Sequence, residues 1–191
     1  MAERRRERPI GPELDRSVID RARTGDLAAF ELIVHARMDD VYRLTAAIVG
    51  DEADARDAAQ ETFVAAWREL PRLRDAGRFE AWLQRIAVNA SRMTLRARGR
   101  RRVREIPSSQ VAAFASRAAP VADASDAEIL DAALRRLPIE QRAVLVLHHL
   151  EGRPLEEIAA TFEIPVGTAK SRLFHARLAL HAALRAEEAD R

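Results

Sequence analysis

The side chains best suited to chemistry in this 191-residue chain are cationic and polar, and they fall on two separated stretches. In the first, Arg85, Asn89, Arg92 and Arg96 follow one another by four, three and four residues. At ~100° per residue this spacing sets them in one row along a helix. From Arg85 to Arg104 there are eight arginines and no acidic residue. Like charges along one face repel unless an anion compensates them, so the row suits a phosphate backbone, with Asn89 able to bond a base edge. The competing reading is a solvated helix end with a basic tail; the lack of interspersed carboxylates favours nucleic acid. In the second stretch, Thr168, Ser171, Arg172 and His175 share a face opposite Val166, Ala169, Leu173, Ala176 and Leu180, and Lys170 projects from a flank. Arginine can grip a guanine edge with two bonds, short hydroxyls can donate near a helix start, and lysine can reach phosphate.

A third set has the opposite sign. Asp54, Asp57, Glu61 and Val64 lie away from the Phe63–Trp67 stripe, with Gln60 at its margin. An acidic face beside a basic one argues against a protein that merely coats DNA and suggests a protein partner; an ordinary solvated face is the alternative. Catalytic and metal sets are not legible. The five histidines are His35, His148, His149, His175 and His181, and no His-Glu-x-x-His, phosphate loop or serine-nucleophile motif accompanies them. Cysteine is absent, which excludes disulfides and thiolate zinc sites within the chain. The expectation is therefore no catalytic residue, no metal and no cofactor.

These sets need elements to position them, and the composition points to helices. Of the chain, 48% is apolar but only 5% aromatic, with alanine and leucine dominant, which suits thin helical domains. The 32 basic and 30 acidic residues nearly cancel, so the distribution of charge says more than its net value. Two blocks of helical periodicity flank a segment containing Pro107, Ser108, Ser109 and Pro120. The expected organisation is all-α: an N-terminal helical domain over 14–104, a flexible linker over 105–125, and a C-terminal helix-turn-helix domain over 126–186. In the first domain, Asp26 and Asp51 are placed to cap helices, with Gly50 as a break. Phe30, Ile33, Val34 and Met38 form one stripe, and Ala59, Phe63, Ala66, Trp67 and Leu70 another. A third runs through Phe79, Trp82, Leu83, Ile86, Ala90 and Met93, and Trp67 and Trp82 are expected to be buried. In the second, Ala143–Leu147 predicts a helix buried on most sides. Leu155–Phe162, a turn at Glu163–Pro165, and a helix from Val166 make the helix-turn-helix. The arginine-rich start, Met1 to Pro9, lacks the apolar stretch of a signal peptide, and nothing approaches the ~20 apolar residues of a membrane helix. No membrane insertion and a cytoplasmic location are expected.

Leu137-Pro138-Ile139-Glu140-Gln141-Arg142, Glu157-Ile158-Ala159 and Gly167-Thr168-Ala169-Lys170-Ser171-Arg172 resemble the promoter-binding C-terminal domain of bacterial sigma factors. Asp57-Ala58-Ala59-Gln60-Glu61-Thr62-Phe63 and Trp82-Leu83-Gln84-Arg85-Ile86-Ala87-Val88-Asn89 resemble their N-terminal conserved domain. The pair, in this order and with only these two domains, resembles the extracytoplasmic-function group of the sigma-70 family. The resemblance implies that Asp57, Gln60 and Glu61 dock on the clamp helices of the RNA polymerase core's largest subunit. It implies that Arg85, Asn89, Arg92 and Arg96, with the Leu73–Arg78 loop, engage the −10 element of promoter DNA. Thr168, Lys170, Ser171, Arg172 and His175 would engage the −35 element. It also implies an anti-sigma factor as a further partner. The chain departs from the common pattern at Ala169 (commonly valine), Glu163 (often glycine), Leu73 (often aromatic) and Met93 (commonly acidic). Two rival functions remain: a dimeric transcription regulator, which leaves the acidic face and basic row poorly explained, and a helical enzyme on nucleic acid, for which no catalytic set exists.

Overall fold

A computed structural model describes residues 14–105 and 126–189, the side chains of 101–105 and 188–189 apart. The N-terminal module is α1 (Arg16–Arg23), α2 (Leu27–Val49), α3 (Glu52–Glu69), two single 3₁₀ turns (Leu70–Arg72 and Ala76–Arg78) and α4 (Phe79–Glu105). The C-terminal module is α5 (Asp126–Arg136), α6 (Ile139–His149), α7 (Leu155–Phe162) and α8 (Val166–Ala189). All regular elements among the described residues are helical. The linker expectation falls on 106–125, outside the described residues, as does the basic start of the chain; Glu105, assigned to the linker, ends α4.

The helix ends follow local chemistry. Asp15, Asp26 and Asp51 each accept a backbone amide, from Ser17, Ala29 and Asp54 respectively, at 3.0 to 3.1 Å. Gly50 closes α2 in the left-handed region at φ 72°, which a β-carbon disfavours, and lets α3 start two residues later. The α1 helix was not legible from the stripes, because at eight residues it buries only Ile19 and Ala22.

In the N-terminal module, Ile33, Leu44, Ile48, Phe63, Leu70, Phe79, Trp82 and Leu83 form the core. Three expectations about it need correction. Met93 is 57% exposed and Met38, on the wall of a surface groove, is 41% exposed, so neither belongs to the core. Trp67 is only half-buried: its ring rests against Phe30 with centroids 4.9 Å apart and leaves its other side in a surface groove. Two side chains that sequence patterns assign to the surface are buried here. Arg37 donates from Nε and Nη2 to Glu80 Oε1 at 2.8 and 2.7 Å, pinning α2 to the first turn of α4. Arg142 lies inside α6 among Ala143 to Leu147, all buried as the continuous apolar run required.

The two modules do not stand apart. Ala143, Val144, Val146, Leu147, Ile158 and Leu173 belong to the same apolar cluster as Ile33, Ile86 and Val88 of the first module. A second cluster, built on Ala133, Leu134, Leu137, Leu145 and Ala176, is internal to the C-terminal module and joins α5, α6 and α8. Both helical modules expected from the sequence are formed, and they touch where α4 packs on α7 and α2 on α6.

Candidate nucleic-acid and protein interfaces

The basic row lies where its spacing requires. Ile86, Ala87, Val88 and Ala90 of α4 are buried, Asn89 and Arg96 are exposed, and Arg85 and Arg92 are half-buried. The anion that the row calls for is found within the chain. Arg92 Nη2 is 2.5 Å from Glu140 Oε1 at the start of α6, and Arg85 pairs with Glu163, which follows α7. Between these pairs a cleft of about 190 Å³ is lined by Arg85, Val88, Asn89, Arg92, Thr161 and Glu163, among others. Further along α4, Arg98 Nη1 lies 3.1 Å from Asp54 Oδ2 and 3.7 Å from Asp51.

That last contact alters the acidic face. Asp54 is half-buried and paired with Arg98, so the exposed part of the strip is Asp57, Gln60 and Glu61. Beside it runs an apolar groove of roughly 1050 Å³ between α2 and α3, lined by Leu27, Phe30, Val34, Tyr42, Phe63, Val64 and Trp67 with Gln60 at its edge. Apolar walls beside an exposed polar strip suit a helical partner that brings both an apolar and a cationic side.

The helix-turn-helix is formed as its sequence predicts: α7 ends at Phe162, three residues turn, and α8 begins at Val166. Ala169, Leu173 and Ala176 are buried, Lys170, Ser171 and His175 are exposed, and Thr168 and Arg172 are half-buried on the same side. The turn has one unexpected feature. Glu163 adopts φ 54°, ψ 43°, the only positive-φ residue other than glycine among those described.

The arginines that sequence reasoning missed bind helix ends. Arg142 donates to the carbonyls of Arg135 at 2.7 Å and Leu137 at 3.1 Å, closing α5, and also to Ile48 in the last turn of α2. Arg135 donates to the Gly50 carbonyl at 3.1 Å. Such terminal carbonyls lack partners within their own helix and carry the negative end of its dipole. Burial first, and then the nearby Arg135 charge, bring the Arg142 guanidinium down to about 10, so it stays protonated at neutral pH. A signal for Arg142 does exist: it is one cation inside the otherwise apolar face of α6.

The adjacent histidines meet edge to face with ring centroids 4.9 Å apart. His148 Nδ1 lies 3.0 Å from the Arg153 carbonyl, and Arg177 Nε donates to His149 Nε2 at 3.2 Å. Among the described residues no group of three or more His, Asp or Glu side chains is placed to hold a metal. No helix among them is long and apolar enough to cross a membrane.

Comparison with known proteins follows the same division of the chain. The family model for sigma-70 region 2 matches residues 33–101, and that for sigma-70 region 4 matches residues 127–180. The RNA polymerase sigma-H factor of Pseudomonas aeruginosa is 34% identical over 90% of this chain and 94% of its own length. The ECF RNA polymerase sigma-E factor of Escherichia coli K12 is 36% identical over 87% of this chain and 92% of its own. Among solved structures, that of CnrH in complex with the cytosolic domain of CnrY is similar with a TM-score of 0.65 and 28% identity, covering 91% of this chain and 99% of that one.

Proposed function

The chain belongs to the extracytoplasmic-function group of the sigma-70 family and is a transcription initiation factor that directs RNA polymerase to promoters; from that premise we propose how its surfaces divide the work. It acts in the cytoplasm and carries no catalysis of its own.

Asp57, Gln60 and Glu61 dock on the clamp helices of the polymerase largest subunit, with the α2–α3 groove taking the apolar side of that contact. Arg85, Asn89, Arg92 and Arg96 track the −10 strand: the arginines meet phosphate, and Asn89 reads a base edge. Bases extruded there are held outside the duplex, which offsets the few kcal/mol that unstacking each of them costs. Thr168, Lys170, Ser171, Arg172 and His175 on α8 enter the major groove of the −35 element. Because one chain carries both DNA surfaces, binding by one raises the effective concentration of the other. CnrH was solved with the cytosolic domain of CnrY; for this chain an anti-sigma factor that covers the α2–α3 groove is the corresponding partner.

The observation that carries this reading is the separation of sign. The exposed strip of Asp57, Gln60 and Glu61 and the basic row of Arg85, Asn89, Arg92 and Arg96 lie on different helices, α3 and α4, of one small module. The test is size-exclusion chromatography with polymerase core. This reading requires a one-to-one complex with core; a dimer that ignores core would reverse it in favour of a conventional regulator.

A further inference from the structure

We propose that Arg98 is a positioning residue rather than a DNA contact: its pair with Asp54 and Asp51 holds the outer turns of α4 and so places Arg96 for the strand that the row receives. The role rests on the assignment of that row to DNA made above.

In the sequence Arg98 is one more arginine of the stretch from Arg85 to Arg104. Its direction separates it from the row. Two residues after Arg96 it falls ~200° further round the helix, and it lies ~180° from Asn89, so it points to the opposite side. There it meets the N-terminus of α3. Arg98 Nη1 donates to Asp54 Oδ2 at 3.1 Å, and Asp51 Oδ2 is 3.7 Å away. Both carboxylates are already fixed. Asp51 caps α3 by accepting the Asp54 amide on its other oxygen at 3.1 Å, and the helix dipole favours acidic side chains in a first turn. The arginine therefore docks on a prepared pair of anions, with little ordering besides its own.

The outer part of α4 needs such a hold. Val49, Ala58 and Ala90 form a small apolar cluster with Leu95 packed against it. Among the described side chains, none of α4 beyond Ser91 is fully buried. Arg92, Arg96 and Arg100 follow at intervals of four, and like charges so spaced repel. Gly99 weakens the helix further, because glycine loses the most conformational freedom when held in one. A helical end of this composition frays unless a tertiary contact holds it. Arg98 supplies that contact two residues from Arg96, on the side that DNA does not need.

The experiment uses the full chain and sets positioning against direct contact. Asp54→Asn removes a negative charge, so electrostatics alone would tighten binding of a short AT-rich single strand, read by fluorescence anisotropy. Positioning gives the opposite sign: affinity should fall about three- to fivefold, the range set by a partly exposed pair that holds the binding-competent helix. Hydrogen exchange at the amides of residues 95–100 should quicken in the same variant. Arg98→Lys, which keeps a cation for the two carboxylates, should lose less than Arg98→Ala. Gly99→Ala adds no charge, and a β-carbon there meets open space. In the Asp54→Asn background it should slow exchange and recover part of the affinity by strengthening the helix itself. Unchanged or tighter binding by Asp54→Asn overturns the proposal. So does a loss that Gly99→Ala leaves in full, since helix propensity does not replace a missing contact with DNA. Arg96→Ala tests the underlying assignment separately. If it leaves strand affinity unchanged, the row is not a DNA surface and the role of Arg98 in placing it falls too. If it weakens binding while exchange in Asp54→Asn stays slow, the row stands and the role of Arg98 alone is wrong.

Discussion

Replacing Glu80 by alanine should loosen the N-terminal module without touching any residue proposed to meet DNA. Glu80 is the carboxylate that receives Arg37, whose side chain is 3% exposed against 34% for Glu80. Severing a fully buried pair costs about 3–5 kcal/mol because a charge is left in a poor solvent, whereas an exposed pair contributes about 0–1 kcal/mol. With one partner buried and the other a third open to water, the loss should fall between, near ~2 kcal/mol. For a chain of this size that corresponds to a fall in melting temperature of roughly 4–8 °C. The assay is urea denaturation followed by tryptophan fluorescence, since Trp67 and Trp82 are the only tryptophans and both report on this module. Glu80→Gln, which keeps the shape and an acceptor, should lose less. The Arg37→Met/Glu80→Met pair should recover part of the loss, because no charge is then stranded. Because Glu80 sits in the first turn of α4, the alanine variant should also weaken single-strand binding by loosening the helix that carries the row. A loss below about 0.5 kcal/mol, the value of a surface pair, would refute the claim that this contact anchors α4.

Other surfaces give separable outcomes. Arg172→Ala should cost about 1–3 kcal/mol of duplex discrimination at the upstream element while core binding persists, read by competition between promoter and scrambled duplexes; equal loss on both would make Arg172 a phosphate contact instead. Glu61→Arg should weaken polymerase binding at least tenfold by setting a cation against the proposed cationic partner, as measured by titration of labelled protein with core; unchanged core affinity would remove Glu61 from the docking surface. Asp26 is held below the usual aspartate range by the Ala29 amide and then by Arg21, and Asp15 by the Ser17 amide. Their folded values lie below the unfolded ones, so the stabilisation they give is present above the ordinary aspartate value and lost as pH falls through the folded value. Helicity should therefore decline on acidification below about pH 4, and Asp26→Asn should flatten that acid limb; identical limbs in the two proteins would mean that other carboxylates dominate.

What the sequence made legible was mostly local. Asp26, Asp51 and Gly50 announce helix boundaries by chemistry confined to a few residues, and the turn at Glu163–Pro165 stands between two amphipathic runs. The arginine row was legible because its spacing and its lack of carboxylates are properties of one helix. The contacts that arrange the modules were not. Arginine is ordinarily a surface residue, so nothing local distinguishes Arg37, buried against a carboxylate, from the exposed Arg68 or Arg100, and only the apolar run beside Arg142 marks it out. The counter-ions of Arg85 and Arg92 come from a different module, and no periodicity encodes that distance. Met93 shows the reverse failure: it fits the apolar spacing along α4 and is nonetheless 57% exposed. Asp54 was grouped with the exposed acids because the helix position is right, but Arg98 reaches across from α4 to take it up.

A sigma factor confers promoter selection on a polymerase that lacks it. In vitro transcription with core polymerase on a library of genomic fragments, with start sites mapped, addresses it directly. Transcripts should begin at a small set of positions that share two upstream sequence elements at constant spacing, and should disappear when the chain is omitted. Starts that are random, or unchanged by adding the protein at any salt concentration at which core remains active, would contradict it.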